Sequence, residues 1–177
     1  VTRLCFSPDG ELLAATYSSP ESFRLQVWEL RRGELRCDVL VEGSRQPLAF
    51  SPDGRSIVVG DAHGGLHVHD LARGQEVKQL QVMKAPAQLV FDPDGARLAV
   101  CGAENRNVQV VDFATGAILK TLPHPSLAGE PSWHPDGVLL ATPCADFQLR
   151  LWDVASGTVR TVLEGHTGRP TSVKFNR

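Results

Sequence analysis

Neither charge nor apolar character is concentrated anywhere in this sequence. Across 177 residues, 18 lysines and arginines stand against 20 aspartates and glutamates, a net charge of −2 with a pI near 6.3. With no basic excess and no block of like charges, there is no electrostatic basis for gripping a nucleic-acid backbone or an anionic membrane, and nucleic acid is not expected as a partner. No apolar run approaches the roughly 20 residues of a membrane-spanning helix, so membrane insertion is not expected either. Residues 1–6 lack the basic and apolar regions of a secretory signal. The chain opens on Val1 rather than methionine, so the true start of the gene product is expected upstream.

Short motifs of chemistry are missing as well. No G-x-x-x-x-G-K phosphate cradle, G-x-S-x-G elbow or paired-carboxylate motif is present. Four cysteines, Cys5, Cys37, Cys101 and Cys144, are scattered without a C-x-x-C pair, among Leu, Val and Ala. They read as small buried hydrophobes in a reducing compartment, hence an intracellular, cytoplasmic location. No catalytic residue, cofactor or metal is assigned on these grounds. A His-rich stretch, A-H-G-G-L-H-V-H-D, places His67 and His69 on one face of a strand with His63 across a turn. Three imidazoles can bind zinc, but these read better as substitutions within the repeat described next.

What is present is periodicity. Pro-Asp-Gly recurs at Pro8, Pro52, Pro93 and Pro135, at spacings of 44, 41 and 42 residues. Proline presets φ and the glycine accepts the positive φ that follows, so each marks a tight turn. An acidic residue closes a strand-like run at Glu29, Asp70, Asp112 and Asp153, spaced 41, 42 and 41. Four residues after each stands a glycine, at Gly33, Gly74, Gly116 and Gly157. Three markers sharing one period define a structural unit used four times. In the fourth unit Leu149, Leu151 and Asp153 alternate with Gln148, Arg150 and Trp152, a period of two that predicts a strand with two different faces.

With these residues in view, the chain resembles a run of WD40 repeats over nearly its whole length. That family's repeat is about 40–45 residues, with Gly-His near its start and Trp-Asp near its end. Trp152-Asp153 is complete, Trp28-Glu29 is close, and His69-Asp70 and Val111-Asp112 keep only the acid. Gly-His occurs at Gly165-His166, and His124 precedes Trp133 by nine residues as His166 precedes Phe175. The resemblance implies an all-β propeller of four four-stranded blades, over about residues 1–42, 43–83, 84–124 and 125–165, with 166–177 supplying the first strand of a fifth. Propellers close with four to eight blades. A fifth strand would have no role in a ring of four, so the expectation is a segment of a ring of about seven blades, completed by the same longer chain or by self-association of half-rings.

The resemblance also implies a hydrogen-bonded network of His124, Thr142, Asp146 and Trp152. In it Asp146 accepts from the His124 imidazole, and that ring bridges to Thr142 and the indole N–H. Although the set looks like a hydrolase triad on paper, Thr142 falls inside a strand, so the expected role is structural. The first repeat is longer than the others at Ser18–Ser22, a Ser/Pro-rich turn. Side chains at predicted turns are the candidate partner contacts: Tyr17, Phe23, Arg45, Lys84, Arg106 and Phe147. The expected function is a non-catalytic scaffold presenting propeller loops to protein or peptide partners in a multiprotein assembly. The alternatives are an axial small-ligand or enzymatic site, and a regulatory sensor attached to a catalytic domain outside this segment.

Overall fold

The computed structural model describes residues 3–18, 23–41 and 47–176. Arg45 and most of the Ser18–Ser22 insertion lie outside the described residues. Those described form four antiparallel sheets of four strands in chain order, and no helix is among them. The first sheet is β1 (Arg3–Phe6), β2 (Leu12–Ser18), β3 (Phe23–Glu29) and β4 (Glu34–Val41). The second is β5 (Leu48–Phe50), β6 (Ser56–Gly60), β7 (Gly65–Asp70) and β8 (Gln75–Gln81). Next come β9 (Pro86–Phe91), β10 (Arg97–Gly102), β11 (Asn107–Asp112) and β12 (Ile118–Pro123). The fourth sheet is β13 (Ser132–Trp133), β14 (Leu139–Pro143), β15 (Leu149–Asp153) and β16 (Thr158–Leu163).

The repeated residues make the repeated turns. At each Pro-Asp-Gly the glycine N–H donates to the carbonyl three residues back: Gly10 to Ser7 at 2.9 Å, Gly54 to Ser51 at 2.9 Å, Gly95 to Asp92 at 3.1 Å and Gly137 to His134 at 2.9 Å. The glycines have φ of 68° to 73°, where a Cβ is strained. The aspartate ending the third strand of the second, third and fourth sheets closes the next turn. Asp70 Oδ1 accepts from the N–H of Ala72 and Arg73, each at 2.9 Å, and Asp153 Oδ1 from Ser156 at 2.8 Å. A carboxylate there satisfies turn donors, so the acid survives in repeats whose tryptophan is gone.

One regularity has no marker in the sequence. Every third-to-fourth strand pairing shifts register at the same place, between Val27 and Trp28, Val68 and His69, Val110 and Val111, and Leu151 and Trp152. The outer strand carries the extra residue, Arg36, Val77, Leu119 or Arg160, and each is exposed. A bulge at that position sharpens the local twist of each sheet.

The chain divides into two compact units, residues 1–87 and 88–177. The core of the first contains Ala14, Leu25, Val27, Phe50, Ile57 and Val59. The second is built on Ala99, Val108, Val110, Leu122, Trp133, Leu140 and Trp152. Full burial of each such leucine contributes roughly 1.5–3 kcal/mol relative to exposure. In the second unit Arg97 lies over the Trp133 ring at 4.6 Å, donates to Asp92 at 2.7 Å and reaches the Gly137 carbonyl at 2.7 Å. The Trp133 indole donates to the Val90 carbonyl at 3.1 Å.

The opening of the fifth repeat is an extended segment rather than a laddered strand. A single parallel bridge joins Ser172 to Glu130, the Glu130 N–H donates to the Thr171 carbonyl at 2.8 Å, and the Phe175 N–H to Ser132 Oγ at 3.1 Å. A Cβ on Gly129 would come within 2.3 Å of the Thr171 carbonyl oxygen, so this close approach requires glycine.

Candidate functional site

Three of the four network residues converge in the fourth sheet and the strand that leads to it. Leu140 lies opposite Trp152, and Thr142 is two residues further along β14 on the same face. Both Thr142 and Trp152 are buried, as is His124 just after β12. Trp152 Nε1–H donates to Thr142 Oγ1 at 2.9 Å, and the hydroxyl lies 2.7 Å from His124 Nε2. His124 Nδ1 is 3.0 Å from the Leu122 carbonyl, which can only accept. The proton therefore sits on Nδ1, Nε2 takes the threonine hydroxyl, and every polar atom of the trio is satisfied. Burial lowers the His124 pKa, outweighing the Leu122 carbonyl that favours the charged form, and this agrees with a neutral ring.

Asp146 does not take the place assigned to it. Its carboxylate accepts from Arg150 Nη1 at 3.1 Å and Nη2 at 2.5 Å, and from the Gln148 N–H at 3.3 Å. The imidazole has a carbonyl on Nδ1 and a hydroxyl on Nε2, leaving no N–H for a carboxylate, whereas the fork of Arg150 matches both oxygens. The Arg150 hydrogen bond holds the Asp146 pKa down at about 2. Sequence reasoning missed Arg150, a buried cation on the same face as Trp152. The spacing from Asp146 to Arg150 was its only trace.

The second sheet carries the same positions with other residues. Ile57 lies opposite His69 as Leu140 lies opposite Trp152, so Val59 corresponds to Thr142. Leu35 lies opposite Trp28 and Ile118 opposite Val111, so Val41, six residues on from Leu35, corresponds to His124. Tryptophan, threonine and histidine are thus replaced by His69, Val59 and Val41. His69 is 4% exposed, and its Nδ1 has no hydrogen-bond partner. Burial lowers its pKa.

His67, beside it, is fully engaged: Nε2 lies 3.1 Å from Asp61 Oδ2 and Nδ1 3.1 Å from Glu76 Oε2. Burial alone would lower the His67 pKa, but the two carboxylates outweigh it and the value is raised. Asp61 Oδ1 also caps the turn, accepting from the N–H of His63 at 2.7 Å and of Gly65 at 2.8 Å. His63 is exposed, so the three imidazoles do not converge. Among the described residues no group of three His, Cys, Asp or Glu side chains is arranged to hold a metal.

The expected contact residues fall on turns and strand ends. Tyr17 and Phe23 lie at the ends of β2 and β3 and are partly exposed. Lys84 is exposed before Ala85, whose φ is 49°. Arg106 is exposed and donates to the Pro125 carbonyl at 3.2 Å. Phe147 is 48% exposed with φ of 69°, a left-handed backbone that is strained for an aromatic residue. Cys37, Cys101 and Cys144 are buried free thiols, and burial pushes the half-buried Cys5 up to about 12.

Residues 119–153 match the family model described as WD domain, G-beta repeat. The chain is 27% identical to the bovine (Bos taurus) target of rapamycin complex subunit LST8 over 183 residues, covering 96% of this chain and 55% of that protein. It is 30% identical to the WD repeat-containing protein SL1-17 of Schistosoma mansoni over 142 residues, covering 79% and 47%. With the periodic tryptophan protein 2 homolog of Dictyostelium discoideum it shares 26% identity over 152 residues, covering 80% and 16%. The chain therefore spans about half the length of the first two relatives.

Proposed function

This chain is built of WD40 repeats, and on that premise we propose that it is a non-catalytic scaffold holding protein or peptide partners in a multiprotein assembly inside the cell. The observation that carries this reading is Phe147. The β14–β15 turn takes a left-handed residue here, its N–H donating to the Cys144 carbonyl at 3.1 Å, and Gly64 takes a positive φ at the same place in the second sheet; a half-exposed phenylalanine therefore bears strain that glycine would avoid. Strain retained at a surface turn is a mark of a position kept for contact. Arg106 occupies the corresponding turn of the preceding sheet, between β10 and β11. An aromatic and an arginine are the residue types that dominate binding energy at interfaces. The buried trio of Trp152, Thr142 and His124 acts as a brace that keeps the β14–β15 turn in place.

Two relatives add to this reading by name, one being a complex subunit and the other a WD repeat-containing protein. Both are about twice as long as the matched stretch, which supports four blades of a larger ring whose remaining blades lie on the same polypeptide. Residues 166–177 then open a fifth blade. Light scattering on the full protein separates this from two half-rings closing on each other, which would give a dimer. The contact reading is tested by replacing Tyr17, Phe23, Lys84, Arg106 and Phe147 together and measuring quantitative affinity capture. Loss of bound proteins with an unchanged melting curve is expected. Unaltered capture overturns the assignment.

A further inference from the structure

The polar trio of the fourth sheet has no counterpart in the second, and what replaces it leaves a cavity. A half-open space of about 210 Å³ is lined by Leu40, Val41, His67, His69 and Glu76, all within the first unit. Its origin follows from the register. An imidazole stands in place of an indole, and Val41 in place of a histidine, so less side-chain volume fills the site. Val59 brings no hydroxyl where Thr142 brings one, so the buried Nδ1 of His69 is left without a partner. Unpaired buried polar atoms are rare in folded proteins, and this one belongs to a ring that lines the cavity.

The chemistry of the lining selects that occupant. The volume is below the roughly 300–1,000 Å³ of pockets for drug-sized ligands, and suits a single side chain. His67 spends both nitrogens on Asp61 and Glu76. Two carboxylates against one imidazole leave a net negative charge whether or not His67 is protonated. The unspent capacity is one Glu76 oxygen, partly exposed, and the His69 ring. Buried Val41 gives an apolar wall suited to a methylene stem, and Leu40, exposed on the other face of β4, completes the lining. A planar cation with several donors meets all of these at once: it pairs with the carboxylate, lies against or donates to the imidazole, and runs its stem along the wall.

We propose that this cavity receives a guanidinium group, the head of an arginine. The assignment is independent of the turn residues named above. The chemistry is shared by free arginine and by an arginine within a polypeptide, and the test separates them.

The experiment labels the full chain with ¹⁵N-histidine and follows the His69 ring nitrogens while Nα-acetyl-arginine methylamide is added. The expected result is a saturable shift of His69, at least tenfold weaker with the citrulline analogue, which keeps the shape and loses the charge, and with the lysine analogue. The blocked arginine binding as well as free arginine identifies a polypeptide side chain as the occupant; a strong preference for free arginine identifies the amino acid. Two variants guard against a folding artefact. Glu76→Gln removes the charge, and Val59→Thr supplies the hydroxyl that His69 lacks; each should weaken binding at least tenfold with the fold intact by circular dichroism. An unmoved His69, or equal shifts with arginine and citrulline, shows a cavity filled by water alone and overturns the proposal. So do equal shifts with arginine and lysine, or undiminished binding in both variants.

Discussion

Trp152 gives its indole N–H to the hydroxyl of Thr142 at 2.9 Å, between two strands whose facing side chains are buried. The same hydroxyl serves His124, so one oxygen satisfies two rings. Thr142→Val keeps the shape and orphans both. Each unpaired buried group costs about 1–3 kcal/mol, so the variant should lose on the order of 2–6 kcal/mol. Thr142→Ser should recover most of it. Urea unfolding of the two variants measures the difference, and equal losses would mean that packing rather than hydrogen bonding sets the role of this position.

The Asp146–Arg150 pair makes a prediction in acid. The folded pKa of Asp146 is depressed to about 2 by the guanidinium, against roughly 3.9 in an unfolded chain. The stability it contributes is complete above the unfolded value and disappears as pH falls through the folded one. Asp146→Asn should therefore be the less stable protein at neutral pH and converge with the wild type between about pH 4 and 2. Melting temperatures across that window check this.

The histidines should titrate in a fixed order. His67, between Asp61 and Glu76, has its pKa raised although burial opposes the shift, whereas burial lowers His69 and His124. His67 thus adds stability that is full below the unfolded pKa and fades as pH rises through its folded value. His69 and His124 have the opposite sign, and their neutral forms lose stability as pH falls. Proton NMR of the ring C–H resonances should show His67 titrating above the ordinary value of about 6.5 and the other two below it. A reversed order would remove the carboxylate clamp from the account.

Arg97 combines an ion pair with the buried Asp92, a carbonyl bond and a stack on Trp133. Removing one partner of a buried pair strands the other, and Arg97→Ala should cost roughly 3–5 kcal/mol. Arg97→Lys should recover little, because an ammonium cannot serve a carboxylate, a carbonyl and a ring face together. Denaturant unfolding of both variants checks this.

Periodic elements were legible because they are local. The Pro-Asp-Gly turns, the acid four residues before a glycine and the alternation along β15 each depend on residues close in sequence. The partners of the site residues were less so. Asp146 was expected to face His124, since the chain order of the four residues fits that network; Arg150 won because its fork suits a carboxylate and both imidazole nitrogens were already occupied. On β15 the alternation revealed two faces without telling which is buried. The buried face holds Arg150 and Trp152, and the leucines lie on the other.

By itself, then, the sequence determined the repeat, its turns and the four-strand sheets, because proline, glycine and a turn-capping acid act within a few residues of themselves. Only the tertiary structure decided where each outer strand bulges, which hydroxyl serves which ring, and that the second sheet holds an unpartnered imidazole beside a cavity. Those outcomes depend on the register between strands and on which side chains meet across them, beyond the few residues within which a turn is decided. Val41 and the smaller ring of His69 leave the cavity, and Val59 leaves that ring without the hydroxyl that Thr142 brings to Trp152.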